Sequence, residues 1–231
     1  MKLGIMQPYF LPHIGYFQLM KMADKYVIAD DVNYIRQGWI NRNYMLLNGK
    51  PFMFHLNLID ASPNKWINQI YVADNQSKLL KTIEYNYKKA PFFKEVFPMV
   101  EDIFNHEDKN LARYVGNSLI KIAGYLGFET EFLYEGDVQE CDRSLKLQER
   151  LISDCVLFGA TEYINSIGGM ELYDKTEFRK AGVELIFLKS KPIEYKQFYH
   201  PFVPNLSILD VLMFNSIDEI NNNLLNQYEL L

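Results

Sequence analysis

The sequence has few of the features that mark secreted, membrane or nucleic-acid-binding proteins. Its only cysteines, Cys141 and Cys155, lie too far apart for a CxxC motif and are too few for a disulfide framework. No apolar run approaches the ~20 residues needed to span a bilayer, and the first residues lack the apolar stretch and cleavage site of a signal peptide. The net charge of −5 is not that of a phosphate-backbone binder. We expect a cytoplasmic protein with no membrane insertion and no nucleic-acid partner.

Apolar and aromatic residues are abundant. The hydrophobic share of 48% is enough for a sizeable core at this length, and the 16 Tyr and 16 Phe residues can fill that core or line pockets for sugars and bases. We predict one domain over residues 1–231. A subdivision into an α/β nucleotide-binding-like part, residues 1–75, and a helical and α/β part, residues 76–231, is compatible with the pattern.

The first thirty residues predict a parallel β-α-β unit. Residues 2–6 form an apolar strand pattern, and Pro8 and Pro12 make the next segment irregular because proline lacks an N–H and disfavours helix in the residue before it. Apolar spacing predicts a helix over residues 14–23 and a second strand over residues 26–29. So short a connection implies parallel strands joined by a right-handed crossover.

The rest of the chain changes from a hairpin to helices. Asn48-Gly49 between two apolar stretches predicts a β-hairpin. From residue 76 the pattern is mainly helical, with strands expected at residues 132–134, 161–165 and 183–189. The predicted fold class is α/β, with an N-terminal Rossmann-like core similar to HxGH nucleotidyltransferases, a β-hairpin, and a largely helical middle and C-terminal part.

The opening loop carries the first chemical signal. His13-Ile14-Gly15-Tyr16 stands where the HxGH motif of nucleotidyltransferases stands, at a helix start whose free N–H groups and dipole favour a phosphate. Tyr16 replaces the last His, so its hydroxyl cannot supply the charge of an imidazolium. His13 is a catalytic candidate, and Tyr9, Gly15 and Tyr16 are ligand-binding candidates. The alternative is that His13 and Tyr16 only cap and pack the turn.

Polar residues at strand ends supply further candidates. The Gln7 amide can both donate and accept, and we expect it to bind a base, sugar or carboxylate. Asp30 and Asp31 follow the second strand, at the edge where open parallel sheets bind ligands. Asp31 is a candidate for catalysis or ligand binding, and the alternative, simple solvation of a strand end, is expected for one of the two aspartates. No dedicated metal site is predicted.

Two more groups of residues could contact a ligand. Trp39 could stack on a ring, and Asn41 and Arg42 add an amide and a guanidinium suited to phosphate or carboxylate. Gly168-Gly169 permits close backbone approach to an anion or sugar, or forms a plain turn.

Near the end of the chain, His200, Ser207 and Asp210 do not indicate a catalytic triad. Ser207 and Asp210 are ligand-binding candidates, and the alternative for Ser207 is that it caps a helix. Another helix carries Lys146, Glu149 and Arg150, whose spacing indicates a solvated face.

These motifs together resemble the WbqC-like protein family over nearly the whole chain. The resemblance is carried by Gln7 to Phe17, Asp30-Asp31-Val32, Gly38 to Arg42, Ala90-Pro91, Tyr163 with Gly168-Gly169, and Leu206 to Asp210. The family opens with roughly Gln-Pro-x-Tyr/Phe-Leu-Pro-x-x-Gly-Tyr and commonly has Trp at the position of His13, which argues against an essential role for His13. The resemblance implies ligand contacts for Gln7, Asp31, Arg42 and Asp210.

The resemblance also implies a setting in bacterial surface-polysaccharide or modified-sugar biosynthesis. We predict a transferase for a nucleotide-activated sugar or a small activated acyl or aminoacyl group. One alternative is a nucleotidyl- or adenylyltransferase with Mg²⁺ held by phosphates and Asp31. Another is a non-catalytic sugar- or nucleotide-binding or scaffold protein. The expected partner is a small molecule, a nucleotide or nucleotide-sugar, and a homo-oligomer is compatible with each hypothesis.

Overall fold

A computed structural model describes residues 1–74, 76–198 and 201–231. Within these ranges the strands, in chain order, are β1 (Lys2–Met6), β2 (Lys25–Ile28), β3 (Arg42–Leu47), β4 (Lys50–His55), β5 (Leu58–Ile59), β6 (Tyr71–Val72), β7 (Glu131–Tyr134), β8 (Glu162–Ser166), β9 (Glu184–Ser190) and β10 (Tyr228–Leu230). The helices are α1 (Ile14–Met22), α2 (Ser77–Tyr87), α3 (Phe93–Phe104), α4 (Leu111–Tyr125), α5 (Leu147–Leu157), α6 (Lys175–Lys180), α7 (Ile208–Phe214) and α8 (Ile217–Asn222).

The central sheet has six strands in the order β7-β2-β1-β8-β9-β10. All neighbours pair in parallel except β9 and β10. The chain builds outward from β1 through β2 to β7, then returns to the other side of β1 with β8. The reversal of direction therefore lies between β1 and β8, which is where open α/β sheets form a crevice for ligands.

The predicted β-α-β unit is confirmed. β1 and β2 pair in parallel from Leu3 opposite Lys25 to Met6 opposite Ile28, and α1 connects them. Successive side chains of a strand face opposite sides of a sheet. Leu3, Ile5 and Val27 accordingly pack towards α5 and α6, whereas Tyr26 and Ile28 belong to the core on the other side.

The hairpin is also confirmed, since β3 and β4 pair antiparallel. The turn residues Asn48 and Gly49 have φ angles of 51° and 73°, which is why Asn-Gly suits this position. A second small sheet, β5 paired with β6, has strands of two residues and was not predicted because so short a segment carries no period.

The middle of the chain is helical as predicted, with α2, α3 and α4 in succession. After residue 130, helices α5 to α8 are interleaved with strands β7 to β10, and β7, β8 and β9 lie where strands were predicted. β10 was not predicted. It forms a strand because it pairs with Leu188 to Ser190 of β9, and its own sequence is too short to show a strand pattern. The coarser prediction, a mixed α/β fold with a mostly parallel sheet, is confirmed. In the described ranges, no helix has both the length and the apolar character to cross a membrane.

Candidate functional site

A cleft of about 480 Å³ opens at the carboxyl ends of β1, β2 and β8. We call it the main cleft. It lies where the strand order reverses, and its lining includes the sequence-predicted residues Gln7, Tyr9, Gly168 and Gly169. The structure therefore brings together the opening loop and the glycine pair, which are about 160 residues apart in the sequence. Other lining residues that matter below are Ile35, Glu135, Leu147, Arg150, Asn165 and Leu172.

Gln7 lines this cleft and also has an unsatisfied polar atom. Its side-chain oxygen Oε1 is buried and has no hydrogen-bond partner among the described residues. The main chain of Gln7 is fixed, because its carbonyl accepts a hydrogen bond from the buried Tyr16 hydroxyl. A buried acceptor without a donor costs about 1–3 kcal/mol, so this oxygen suits a donor group on a ligand.

A second, adjoining cleft of about 360 Å³, the side cleft, brings Tyr9, Gly15, Tyr16 and Gly168 together beside His13. Gly15 has a structural reason to be glycine. A Cβ there would collide with Ser190 Oγ at the end of β9. The residue lets α1 approach the sheet closely. Gly168 is different, since the nearest atom to an added Cβ is Ser166 Oγ at 3.8 Å.

The start of α1 is already satisfied by the protein itself. His13 caps the helix, with its Nδ1 accepting from the Gly15 N–H at 3.1 Å and its carbonyl accepting from the Tyr16 N–H at 3.1 Å. Desolvation lowers the pKa of His13 and raises that of Tyr16. Both side chains are therefore neutral at physiological pH, and the Gly15 and Tyr16 N–H groups are occupied. The capping alternative describes this geometry better than an HxGH phosphate site does.

Asp31 is buried beside the main cleft and forms ion pairs with two arginines. Its Oδ2 accepts from Arg143 Nε at 2.7 Å and its Oδ1 from the Arg150 guanidinium at 2.5 Å. Arg143 also donates to the carbonyls of Glu135, Gly136 and Val138. Asp31 thus ties the end of β2 to the connection between β7 and α5. Its role in ligand contact stays a prediction.

Glu135 extends this cluster to the wall of the main cleft. Its carboxylate pairs with the Arg150 guanidinium at 2.5 Å. The pKa of Glu135 is raised to about 8, because burial, together with the neighbouring Asp31 and Asp154, outweighs the opposing effect of Arg150. Burial also raises the pKa of Asp154. Three buried carboxyl groups face two guanidinium groups, so a proton held by Glu135 or Asp154 balances the charge.

A metal ion is the other way to balance such a cluster. Ligand atoms of Glu135, Cys141 and Asp154 lie within 4.8 Å of one another. Two observations disfavour that use: burial raises the pKa of the Cys141 thiol to about 12, although a metal needs the thiolate, and Arg150 already bonds to Glu135. The arrangement fits proton storage better than metal binding.

Sequence reasoning missed Glu135, Arg150, Asp154 and Asn165. Signals for most of them were present. Glu135 directly follows the predicted strand 132–134, and Asn165 ends the predicted strand 161–165, which are the positions that made Asp31 a candidate. Asp154 lies on the apolar stripe of α5, seven residues after Leu147. The prediction of a solvated Arg150 is wrong, because its side chain is only 13% exposed.

Trp39, Asn41 and Arg42 are not among the residues that line the main cleft. Trp39 lines a third cleft of about 320 Å³ together with Tyr9, His13 and Tyr44. The Arg42 guanidinium lies 5.5 Å from the Trp39 ring and donates to the Gln37 carbonyl. Asn41 accepts from the Tyr34 hydroxyl at 3.0 Å and donates to the Leu56 carbonyl at 2.9 Å. Trp39 is open to a ligand, whereas the Asn41 side chain is engaged in holding the hairpin.

Ser207 and Asp210 are fully buried at the start of α7. Ser207 caps the helix by accepting from the Leu209 N–H, as the alternative interpretation expected. The Asp210 carboxylate accepts from the Tyr87 and Tyr195 hydroxyls and the Gln197 amide. Both residues support the fold around the opening loop, and their ligand contact stays a prediction. His200 lies outside the described residues.

Comparison of the sequence with known proteins identifies the same family that the motifs indicate. The chain matches the WbqC-like protein family over residues 7–222. The protein belongs to that family. It is 27% identical over 219 residues to Rv1507c, an uncharacterised protein of Mycobacterium tuberculosis, with 93% of each chain covered. No solved structure matches the chain. The family match begins at Gln7, the residue with the unpaired buried oxygen.

Proposed function

We propose that this WbqC-like protein is a cytoplasmic transferase that binds a small activated donor in the main cleft. The donor is a nucleotide-activated sugar or a small activated acyl or aminoacyl group. The observation that carries the proposal is that Gln7, whose buried Oε1 is unpaired, lines a cleft at the reversal of the strand order. The setting in bacterial surface-polysaccharide or modified-sugar biosynthesis rests on the family resemblance alone.

Glu135 is the residue best placed to move a proton. It lines the cleft, and a pKa of about 8 leaves both protonation states accessible near neutral pH. A carboxyl group with such a pKa can accept a proton from an attacking hydroxyl or amine and return it to a leaving group. Arg150 holds the carboxyl group in position through its ion pair. Gln7 would orient the donor by accepting a hydrogen bond from it.

Nucleotidyl or adenylyl transfer receives less support from the geometry. The Gly15 N–H is bound to His13, and both oxygens of Asp31 accept hydrogen bonds from arginines. Neither group is free for phosphates or Mg²⁺ in this arrangement. Mixing ATP or CTP with candidate acids and measuring pyrophosphate tests this hypothesis directly. A non-catalytic binding protein would use the same cleft, and absence of turnover with a bound donor would favour it.

The test of the main proposal is a binding screen by calorimetry and thermal shift. Nucleotides, nucleotide-sugars, acyl donors and aminoacyl donors are offered to the folded protein and to Gln7→Ala. We expect one donor class to bind and the variant to lose at least tenfold in affinity. Gln139→Ala, a change at an exposed glutamine, is the matched control and should bind normally. Absence of binding by every class would overturn the proposal.

A second variant separates binding from chemistry. Glu135→Gln keeps the size of the side chain and removes its ability to exchange a proton. With the donor identified by the screen, we expect donor affinity to change less than threefold and turnover to fall by 10²-fold or more, the range typical of general acid–base groups. Unchanged turnover would remove Glu135 from the mechanism.

A further inference from the structure

The mouth of the main cleft carries exposed aliphatic side chains. Ile35 is 49% exposed, Leu147 81% and Leu172 68%, and all three line the cleft. They come from three different connections: β2 to β3, the start of α5, and β8 to α6. Single exposed apolar residues are ordinary on protein surfaces. Three that converge on the same opening from separate loops need a common reason.

Leu147 is held in a backbone conformation that leucine rarely adopts. Its φ angle is +49°, in the left-handed region where a branched side chain is unfavourable. Asparagine or glycine would fit this position more easily, and either would be better solvated. Strain of this kind is found mainly where the surrounding structure and function require a particular side chain. The conformation places an almost fully exposed leucine at the cleft.

Polar side chains line the same cleft. Gln7, Glu135, Arg150 and Asn165 are buried or partly buried there. The cleft therefore combines exposed aliphatic side chains with polar side chains that are much less exposed. Its volume of about 480 Å³ is in the range of small-molecule sites.

We propose that the ligand of the main cleft is an acyl compound whose polar head lies among Gln7, Glu135 and Asn165 and whose aliphatic chain lies against Ile35, Leu147 and Leu172. This inference rests on the proposed function and selects the acyl class within it. Aliphatic side chains offer no hydrogen bonds to the hydroxyl groups of a sugar. They do favour methylene groups, each of which raises affinity by roughly fourfold when fully buried.

The test measures affinity against acyl chain length. Acetyl, butyryl and hexanoyl forms are made on two heads, sulfamoyl-adenosine and coenzyme A, and titrated into the protein by calorimetry, with UDP-glucose as the sugar donor. We expect at least one acyl series to bind, with affinity rising at least tenfold from the two-carbon to the six-carbon chain. Leu147→Asn and Leu172→Asn should flatten this dependence. Asparagine is chosen because it tolerates a positive φ at position 147.

Val156→Asn is the matched control, since Val156 is 58% exposed on the same helix, α5, and does not line the cleft. It should keep the full chain-length dependence. The inference is overturned if affinity is independent of chain length, or if the acyl compounds do not bind. In either case binding of UDP-glucose would leave the proposed function standing, whereas absence of binding by every donor class in the wider screen would overturn both. A rim substitution that changes only the oligomeric state in gel filtration would identify a protein interface and also overturn the inference.

Discussion

The Ser207 hydroxyl donates a hydrogen bond of 2.7 Å to the main-chain carbonyl of Leu11, which lies 196 residues earlier in the sequence. The same carbonyl accepts from the Asn43 amide at 2.8 Å. Leu11 needs this support because its φ angle is +47°. The start of α7 and strand β3 thus hold the opening loop in the shape that places Gln7 at the main cleft.

Ser207→Ala should destabilise the protein by about 2 kcal/mol. The change removes the bond to Leu11 and the cap of α7, each typically contributing about 1 kcal/mol. Urea unfolding followed by circular dichroism measures the difference. Ser216→Ala is the control, since Ser216 caps α8 through the exposed Glu219 N–H. Equal losses for the two variants would contradict a special role for the bond to Leu11.

Asp31→Asn should lower the free energy of unfolding by about 3–5 kcal/mol, the range for removing one partner of a buried ion pair. The variant leaves Arg143 and Arg150 without the carboxylate that accepts from both. Glu184→Gln is the comparison, because the Arg179–Glu184 pair is exposed to solvent, which screens its attraction, so this variant should lose far less stability. A loss below about 1 kcal/mol for Asp31→Asn would show that the cluster is better hydrated than the structure implies.

Glu135→Gln should change the pH dependence of stability. Burial raises the pKa of Glu135 from 4.5 to about 8, so the folded protein holds a proton that the unfolded chain has lost between these values. The free energy of unfolding from this group therefore falls as the pH rises from about 4.5 to 8. We expect the wild type to lose roughly 1 kcal/mol per pH unit more than the variant in this window. Unfolding titrations at half-unit pH steps measure the slope, and parallel curves would refute a raised pKa.

Gln7→Met should bind ligand poorly and yet be at least as stable as the wild type. Methionine has a similar length and removes the buried oxygen that has no donor. Relief of that unsatisfied group can add about 1 kcal/mol to the free energy of unfolding. Thermal unfolding without ligand measures this change. A clear loss of stability would show that Gln7 serves the fold rather than a ligand.

Local patterns predicted the elements that are long or strongly marked. β1, α1, β2 and the β3–β4 hairpin follow from proline positions, apolar spacing and the Asn-Gly turn. β10 did not follow, since three residues carry no period and their structure comes from pairing with β9. The strands β7, β8 and β9 were predicted, but their positions on either side of the β1–β2 pair were not, because strand order depends on contacts between distant segments.

The loop residues of the candidate site were predicted from the sequence, but its buried charged residues were not. Gln7, Tyr9, Gly168 and Gly169 could be found because prolines and paired glycines mark irregular backbone. Arg150 could not, because its helical spacing from Lys146 and Glu149 is that of a solvated face. Arg150 differs from Lys146 and Glu149 because it is buried against Asp31 and Glu135. That burial depends on tertiary contacts between segments that are distant in the sequence.

The position of β1 between β2 and β8 has a consequence for how the protein is made. β2 is synthesised soon after β1, but the other neighbour of β1 begins at Glu162. Until then one edge of the first strand has no native partner, and closure of so long a loop is slow compared with local pairing. A ribosome-bound chain that stops before residue 162 therefore exposes an apolar strand edge, and it is at this stage that the polypeptide should depend most on chaperones.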